Sequence, residues 1–301
     1  MLYASWSLAI VPLDTTKRNK VIVLDPKLIH LEEIGSIPAQ AKEASGLEIT
    51  GSGLMWTHND GGVPVLFGLD REGKLVRTVH INVRNRGWED LAQDDQGNFY
   101  IGSFGNNTNR RKDLRIFKIM NPDSVKTNII GAEIIAFTYE DQKEFPPPRN
   151  EQNFDMDAFI YLNGDLLLFS KNRTAPFTGM TKVYKLSTEP GTQVATLYDA
   201  IFLGGIEPPA MNYWITGADI SPDKKTIALL GHHRLWLVRN FEGKKFSEGT
   251  VYEIDLGHFS HKAGICFSDN TTLYIVDEVE MEIVGGKLYK LDLAPALKVV
   301  E

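Results

Sequence analysis

Short runs of apolar and β-branched residues alternate along this chain with clusters of Gly, Asn and Asp, and the spacing of an amphipathic helix is nearly absent. Five of these runs open beside a carboxylate, hydroxyl or glycine and close in a polar turn. They are Ala44 to Ile49, Glu89 to Asp94, Asp157 to Leu162, Gly217 to Pro222 and Ala263 to Ser268. Each is followed by a second strand-like run, and in most cases by a third. A unit that recurs every ~45–65 residues is the signature of a β-propeller or a related array.

With those runs as first strands, the first unit continues through Gly53 to Thr57, Val65 to Leu69 and Lys74 to Ile81, with a hairpin turn at Asp70-Arg71-Glu72-Gly73. The second continues through Asn98 to Ser103, Leu114 to Ile119 and Glu133 to Tyr139. Asp165 to Ser170, Lys182 to Leu186 and Gln193 to Tyr198 follow in the third, and Thr226 to Leu230, Leu235 to Val238 and Val251 to Leu256 in the fourth. The fifth has Thr272 to Val276 and Lys287 to Leu291, then too little chain for an outer strand. His30 to Ile37 has the pattern of that missing strand, and pairing it with the last unit would close the ring and hide its edges. The prediction is therefore an all-β fold, one β-propeller domain over 1–301, with five blades preferred and the ring closed by an N-terminal strand. Residues 1–28 are an N-terminal extension or part of the closing blade. Two further strand-like pieces within Tyr3 to Leu24 would raise the count to six.

Composition agrees with a globular chain and narrows its partners. The 301 residues are 43% hydrophobic and 24% charged, with a net charge of -7, which argues against a nucleic-acid footprint built on a clustered basic face. No apolar run approaches the ~18 residues of a membrane span. Leu2 to Leu13 is moderately apolar but lacks the basic and small-residue flanks of an export signal. The single cysteine, Cys266, excludes an internal disulfide and a thiolate zinc site, and its apolar strand makes it an inert buried thiol. Two long proline-bearing connections, Asp141 to Gln152 and Gly204 to Asn212, are loops that could rim a binding site or simply cover the channel mouth.

Candidate chemistry follows from propeller geometry. The starts of the innermost strands and the loops after each second strand share one face of the disc. Glu43, Ser45, Glu89, Asp157, Gly217 and Ala263 stand at the strand starts. The loops supply His58 to Gly62, Gly105-Asn106-Asn107, Lys171-Asn172-Arg173, Gly231 to Arg234 and Asp277-Glu278. Asn59, Asp60, Glu89, Asn106, Asp157, Lys171, Arg173 and His232 are thus expected to converge on a central pocket for a small molecule, glycan or protein segment. Lysine and arginine among carboxylates suit an anionic or polyhydroxyl ligand. Glu89 and Asp157 are the candidate ligands of a Ca²⁺ or Mg²⁺ ion, which prefers oxygen donors; the competing reading is that they bond the backbone of neighbouring blades. His258 and His261 are spaced like a metal pair, but nothing else in the region completes one. No nucleophile elbow, phosphate loop or dinucleotide fingerprint occurs.

Several stretches are similar to a family of bacterial, mostly exported propellers related to the SdiA-regulated, NHL and gluconolactonase (regucalcin)-like groups. They are Trp56 to Gly62, Trp88 to Ala92, Tyr100 to Asn107, Ser170 to Arg173, Ile215 to Ile220 and Ala263 to Phe267. The likeness spans about Glu43 to Leu291. It implies a propeller, a periplasmic or secreted location, and functional positions at Glu89, Asp157, Asn59-Asp60 and Lys171-Asn172-Arg173. The pattern usually carries acids where this chain has Gly217 and Ala263, so its acidic ring is incomplete. Two functions follow: a binding propeller with a polar central pocket, or a divalent-metal-dependent hydrolase of lactones or phosphoesters.

Overall fold

A computed structural model describes residues 18–205, 208–243, 245–281 and 284–300. The strands group into five four-stranded antiparallel blades. The first runs Ala44–Ile49, Met55–Asn59, Val65–Leu69 and Leu75–Ile81; the second Trp88–Gln93, Phe99–Ser103, Leu114–Ile119 and Glu133–Tyr139. The third runs Met156–Leu162, Asp165–Ser170, Met180–Ser187 and Gly191–Phe202; the fourth Gly217–Ile220, Ile227–Leu230, Arg234–Arg239 and Thr250–Asp255. The fifth is Lys262–Phe267, Thr272–Asp277, Lys287–Asp292 and, from the other end of the chain, Leu31–Ser36. The N-terminal strand pairs antiparallel with Lys287–Asp292, from Leu31 opposite Leu291 to Ser36 opposite Lys287. The chain is a β-propeller closed by that strand.

The core is five apolar clusters, and each lies between two consecutive blades. Trp56, Leu66, Trp88 and Phe99 pack between the first and second; Tyr100, Phe104, Phe159 and Tyr184 between the second and third. Ile160, Phe169, Trp236 and Val251 join the third to the fourth, and Leu235, Ile254, Ile265 and Leu291 the fourth to the fifth. Leu47, Leu69, Cys266 and Val276 join the fifth back to the first. A large side chain fully buried in such an interface contributes roughly 1.5–3 kcal/mol. The ring therefore holds only while every interface is present.

Three features depart from the sequence reading. Lys20–Val23 does not begin a sixth blade; it adds a parallel fifth strand outside Thr250–Asp255. The rest of Tyr3 to Leu24, and with it Leu2 to Leu13, lies outside the described residues. The outer strand of the third blade reaches from Gly191 to Phe202, longer than its β-branched segment: its first residues pair in parallel with the outer strand of the second blade, and its last, Ala200 to Phe202, with Lys182 to Met180. A helix, Ala294–Val300, ends the described chain and buries Ala296 and Leu297 in the interface of the fourth and fifth blades.

Candidate functional site

Regular alternation would point every second side chain of an inner strand at the channel. Four of the five inner strands break it with a bulge at their start. Pairing skips Glu89 between Trp88 and Asp90, Asp157 between Met156 and Ala158, and Ala263 between Lys262 and Gly264, and it shifts between Ser45 and Glu48 in the first blade. A bulged residue leaves the ladder and its side chain is re-aimed. Glu89 and Asp157 escape backbone bonding in this way, and both open into a pocket of about 320 Å³ at one mouth of the channel. Gly105 makes room for the first of them: a Cβ there would lie 1.6 Å from Glu89 Oε1.

The next carboxylate along has the opposite fate. Asp90 is wholly buried and accepts hydrogen bonds from Leu91 N (2.9 Å), Phe159 N (3.1 Å) and Ala218 N (3.2 Å), which ties the second blade to the third and fourth. Asp219 likewise accepts from Ile220 N and Phe267 N, bridging the fourth and fifth. Backbone stitching, weighed above for Glu89 and Asp157, falls to these residues instead.

Of the eight residues expected to converge, Asp60, Glu89, Asp157, Lys171, Arg173 and His232 line this pocket. Asn59 and Asn106 do not. Asn59 accepts from Glu43 N and donates to Gln40 O, and Asn106 accepts from Arg111 N and donates to Phe154 O, so both amides are spent on holding loops. Asn107, beside the latter, lines the pocket in its place. Of the two proline loops, Gly204 to Asn212 reaches the rim through Met211, whereas Asp141 to Gln152 lines a separate cavity with Asp141, Asn150 and Glu151.

Both cations come from the third blade and both are paired there. Lys171 Nζ donates to Asp157, with side chains only 7% and 13% exposed. Arg173 Nε donates to Asp155 at 2.5 Å and its Nη2 to Asn107, while its guanidinium lies 4.3 Å from the Trp214 ring centre. Burial alone would lower the Lys171 pKa, but Asp157 and Asp155 outweigh it and hold the ammonium above its usual range.

The opposite wall is acidic and aromatic. Glu278 and Glu280 flank His261, whose Nδ1 lies 3.3 Å from Glu278 Oε2. Burial first, then the Asp60 charge, pushes the Glu278 carboxyl up to about 8, and burial first, then Lys171, lowers His261. Both shifts favour the uncharged forms, which weakens the ion-pair character of this contact. Burial, with Asp157 and Asp155 adding to it, raises Glu89 well above the carboxylate range; burial and the neighbouring Glu43 raise Asp60. His232 is 6% exposed, held neutral by burial with a pKa lowered to about 3, and its Nδ1 has no partner among the described residues. Phe259 stands 5.6 Å from its ring and is half exposed.

Sequence reasoning did not single out Glu280, Trp214 or Phe259, and it named Glu278 only as a loop residue and His261 only as half of a metal-spaced pair with His258. Glu278 carried a signal, since it sits in the loop equivalent to those of Asp60 and Lys171. His261 enters beside carboxylates rather than with His258, which lies against Lys262 Nζ. Trp214 and Phe259 come from irregular connections where no periodicity marks a direction.

The Lys171 ammonium already sits on Asp157 Oδ2, and among the described residues no three His, Cys, Asp or Glu side chains gather with metal-ligand spacing. What the pocket offers is carboxyl groups, imidazoles, an amide, hydroxyls from Ser45 and Thr216, and two aromatic side chains.

No protein-family model matches the chain, and no curated protein does. Solved structures do. The PQQ-bound aldose sugar dehydrogenase of Streptomyces coelicolor superposes with a TM-score of 0.52 at 8% identity, covering 88% of this chain and 98% of that one. A protein of unknown function from Bacteroides thetaiotaomicron gives 0.50 at 10% identity, over 88% and 76% of the two chains. A gluconolactonase from Xanthomonas campestris gives 0.43 at 10% identity, over 83% and 71%. At these identities the likeness is one of fold. Among the described residues no helix is long and apolar enough to cross a membrane.

Proposed function

We propose that the central pocket binds a small polyhydroxylated molecule, and does so without a metal. The observation that carries this reading is the pairing of both pocket cations: Lys171 is held by Asp157 and Arg173 by Asp155, so neither is free to receive an anion. The groups left to meet a ligand are neutral donors and acceptors or acids, set beside Trp214 and Phe259. Carboxyl groups, imidazole nitrogens and hydroxyls recognise ligand hydroxyls, and aromatic faces cover the apolar faces of a ring. A volume of about 320 Å³ suits a monosaccharide or disaccharide unit. The resemblance to exported SdiA-regulated and NHL-type propellers supports placing this binding in the periplasm or outside the cell, which fractionation of the native host would check.

The test is calorimetric titration with glucose, galactose, glucitol and maltose, beside thermal shift with Ca²⁺ and Mg²⁺. At least one neutral polyol should bind and raise the melting temperature by mass action, while the cations alone leave it unmoved. Tighter binding of a phosphorylated or carboxylated sugar than of its neutral parent overturns the pairing argument. A melting temperature that climbs with Ca²⁺ restores the metal-dependent hydrolase.

A further inference from the structure

The charges of the pocket are unevenly placed around the ring. Three consecutive blades, the fifth, first and second, contribute Glu278 and Glu280, Asp60, and Glu89, and no lysine or arginine from those blades lines the pocket. Both lining cations belong to the third blade and are paired. Resting on the polyol reading above, we propose that the ligand carries a protonated amine as well as hydroxyls, and that the amine seats among Glu89, Asp60 and Glu278.

A second, independent feature also points to a ligand at this spot. His232 is more than nine-tenths buried and lines the same pocket, yet its Nδ1 is unpartnered among the described residues. A neutral imidazole keeps one acceptor nitrogen for an N–H or O–H of a ligand. Phe259, half exposed on the same wall, offers an aromatic face to the carbon next to a cationic nitrogen.

A cation seated here displaces protons. Glu89 faces Asp157, Asp155, Lys171 and Asp60, and Glu278 faces Asp60, Lys171, Asp157, Glu43 and His261. Burial and that acidic company hold both carboxyls above the usual range. An ammonium beside them favours the ionised form, so its arrival releases protons to solvent, while a neutral polyol releases none.

N-methylglucamine and glucitol share a carbon skeleton, and the amine of the first stays protonated at neutral pH. Titrating each into the protein by calorimetry, in two buffers of different ionisation enthalpy, reads affinity and proton release together. The amine should bind about tenfold tighter or better, with up to about one proton released per ligand. Glu278→Gln, with an unchanged circular dichroism spectrum, should lose most of that preference; Asp60→Asn, at a half-buried position of the same seat, serves if the first fails to fold. Equal or tighter binding of glucitol, or amine binding without proton release, overturns the amine while the polyol reading stands. If neither compound binds and the sugars above do not, the polyol reading itself falls.

Discussion

Lys171 is paired with Asp157 in this pocket, and a buried ion pair broken on one side leaves a stranded charge. Lys171→Ala should cost about 3–5 kcal/mol in urea unfolding, and should make the melting temperature respond to Ca²⁺, which now meets an unpaired Asp157. Gly105→Ala tests Glu89 without replacing it, by pressing a methyl against its carboxyl. The added methyl must push the end of a flexible side chain rather than backbone, so ligand affinity should fall about tenfold while the melting temperature hardly moves. The pH response has a definite sign. Glu278 has a folded pKa raised to about 8, above its unfolded value, so the stability its protonated form contributes is complete below the usual carboxylate range and is lost as pH rises toward 8. His232 works the other way: with a folded pKa lowered to about 3, the stability of its neutral form is present above the unfolded value and lost as pH falls. Glu278→Gln should therefore flatten the alkaline side of the stability profile by about 2–4 kcal/mol and leave the acid side, where His232 acts, in place.

Strands were the legible part of the sequence. The five inner runs begin at or within two residues of their observed starts, because apolar alternation bounded by Asp and Gly turns is a local code. Asp70 shows why: its Oδ1 accepts from Glu72 N and Lys74 N and writes the hairpin into four residues. The bulges were not legible. Nothing in Trp88-Glu89-Asp90 says which carboxylate leaves the ladder, since that choice is made by amides of Phe159 and Ala218 far along the chain. The same limit applies to Asn59 and Asn106, whose loop partners draw them away from the pocket beside neighbours that stay in it. Asp90→Ala removes the acceptor of three backbone amides, two of them in other blades, and should cost about 2–4 kcal/mol by chemical denaturation. Asp90→Asn, which keeps one oxygen, should recover part of that loss.

At the scale of the whole molecule, ring closure converts sequence distance into spatial neighbourhood. Asp60 and Glu280 are far apart along the chain, yet the fifth and first blades bring both to one pocket wall. The recurring strand pattern foretold that ring, and composition said little of its contents. The excess of acid over base in the chain is general, whereas the confinement of free acid to three blades and of paired cation to one is a property of closure. That asymmetry gives the pocket a direction, which no single strand possesses.

The outer edges of the blades govern how one molecule meets another. Ile129–Ile130 runs parallel to the rim of the first blade, the second and third share their rims, and Lys20–Val23 covers the fourth. Leu31–Ser36 has no strand outside it among the described residues, and it carries Glu32 beside Glu33, the second of them paired with Lys287. In concentrated solution that rim is where two copies could zip into a continuous ribbon, and like charges on both edges repel such a docking. Replacing Glu32 and Glu33 together by valine should leave ligand affinity intact, yet turn a clear solution into one whose light scattering grows with concentration and time.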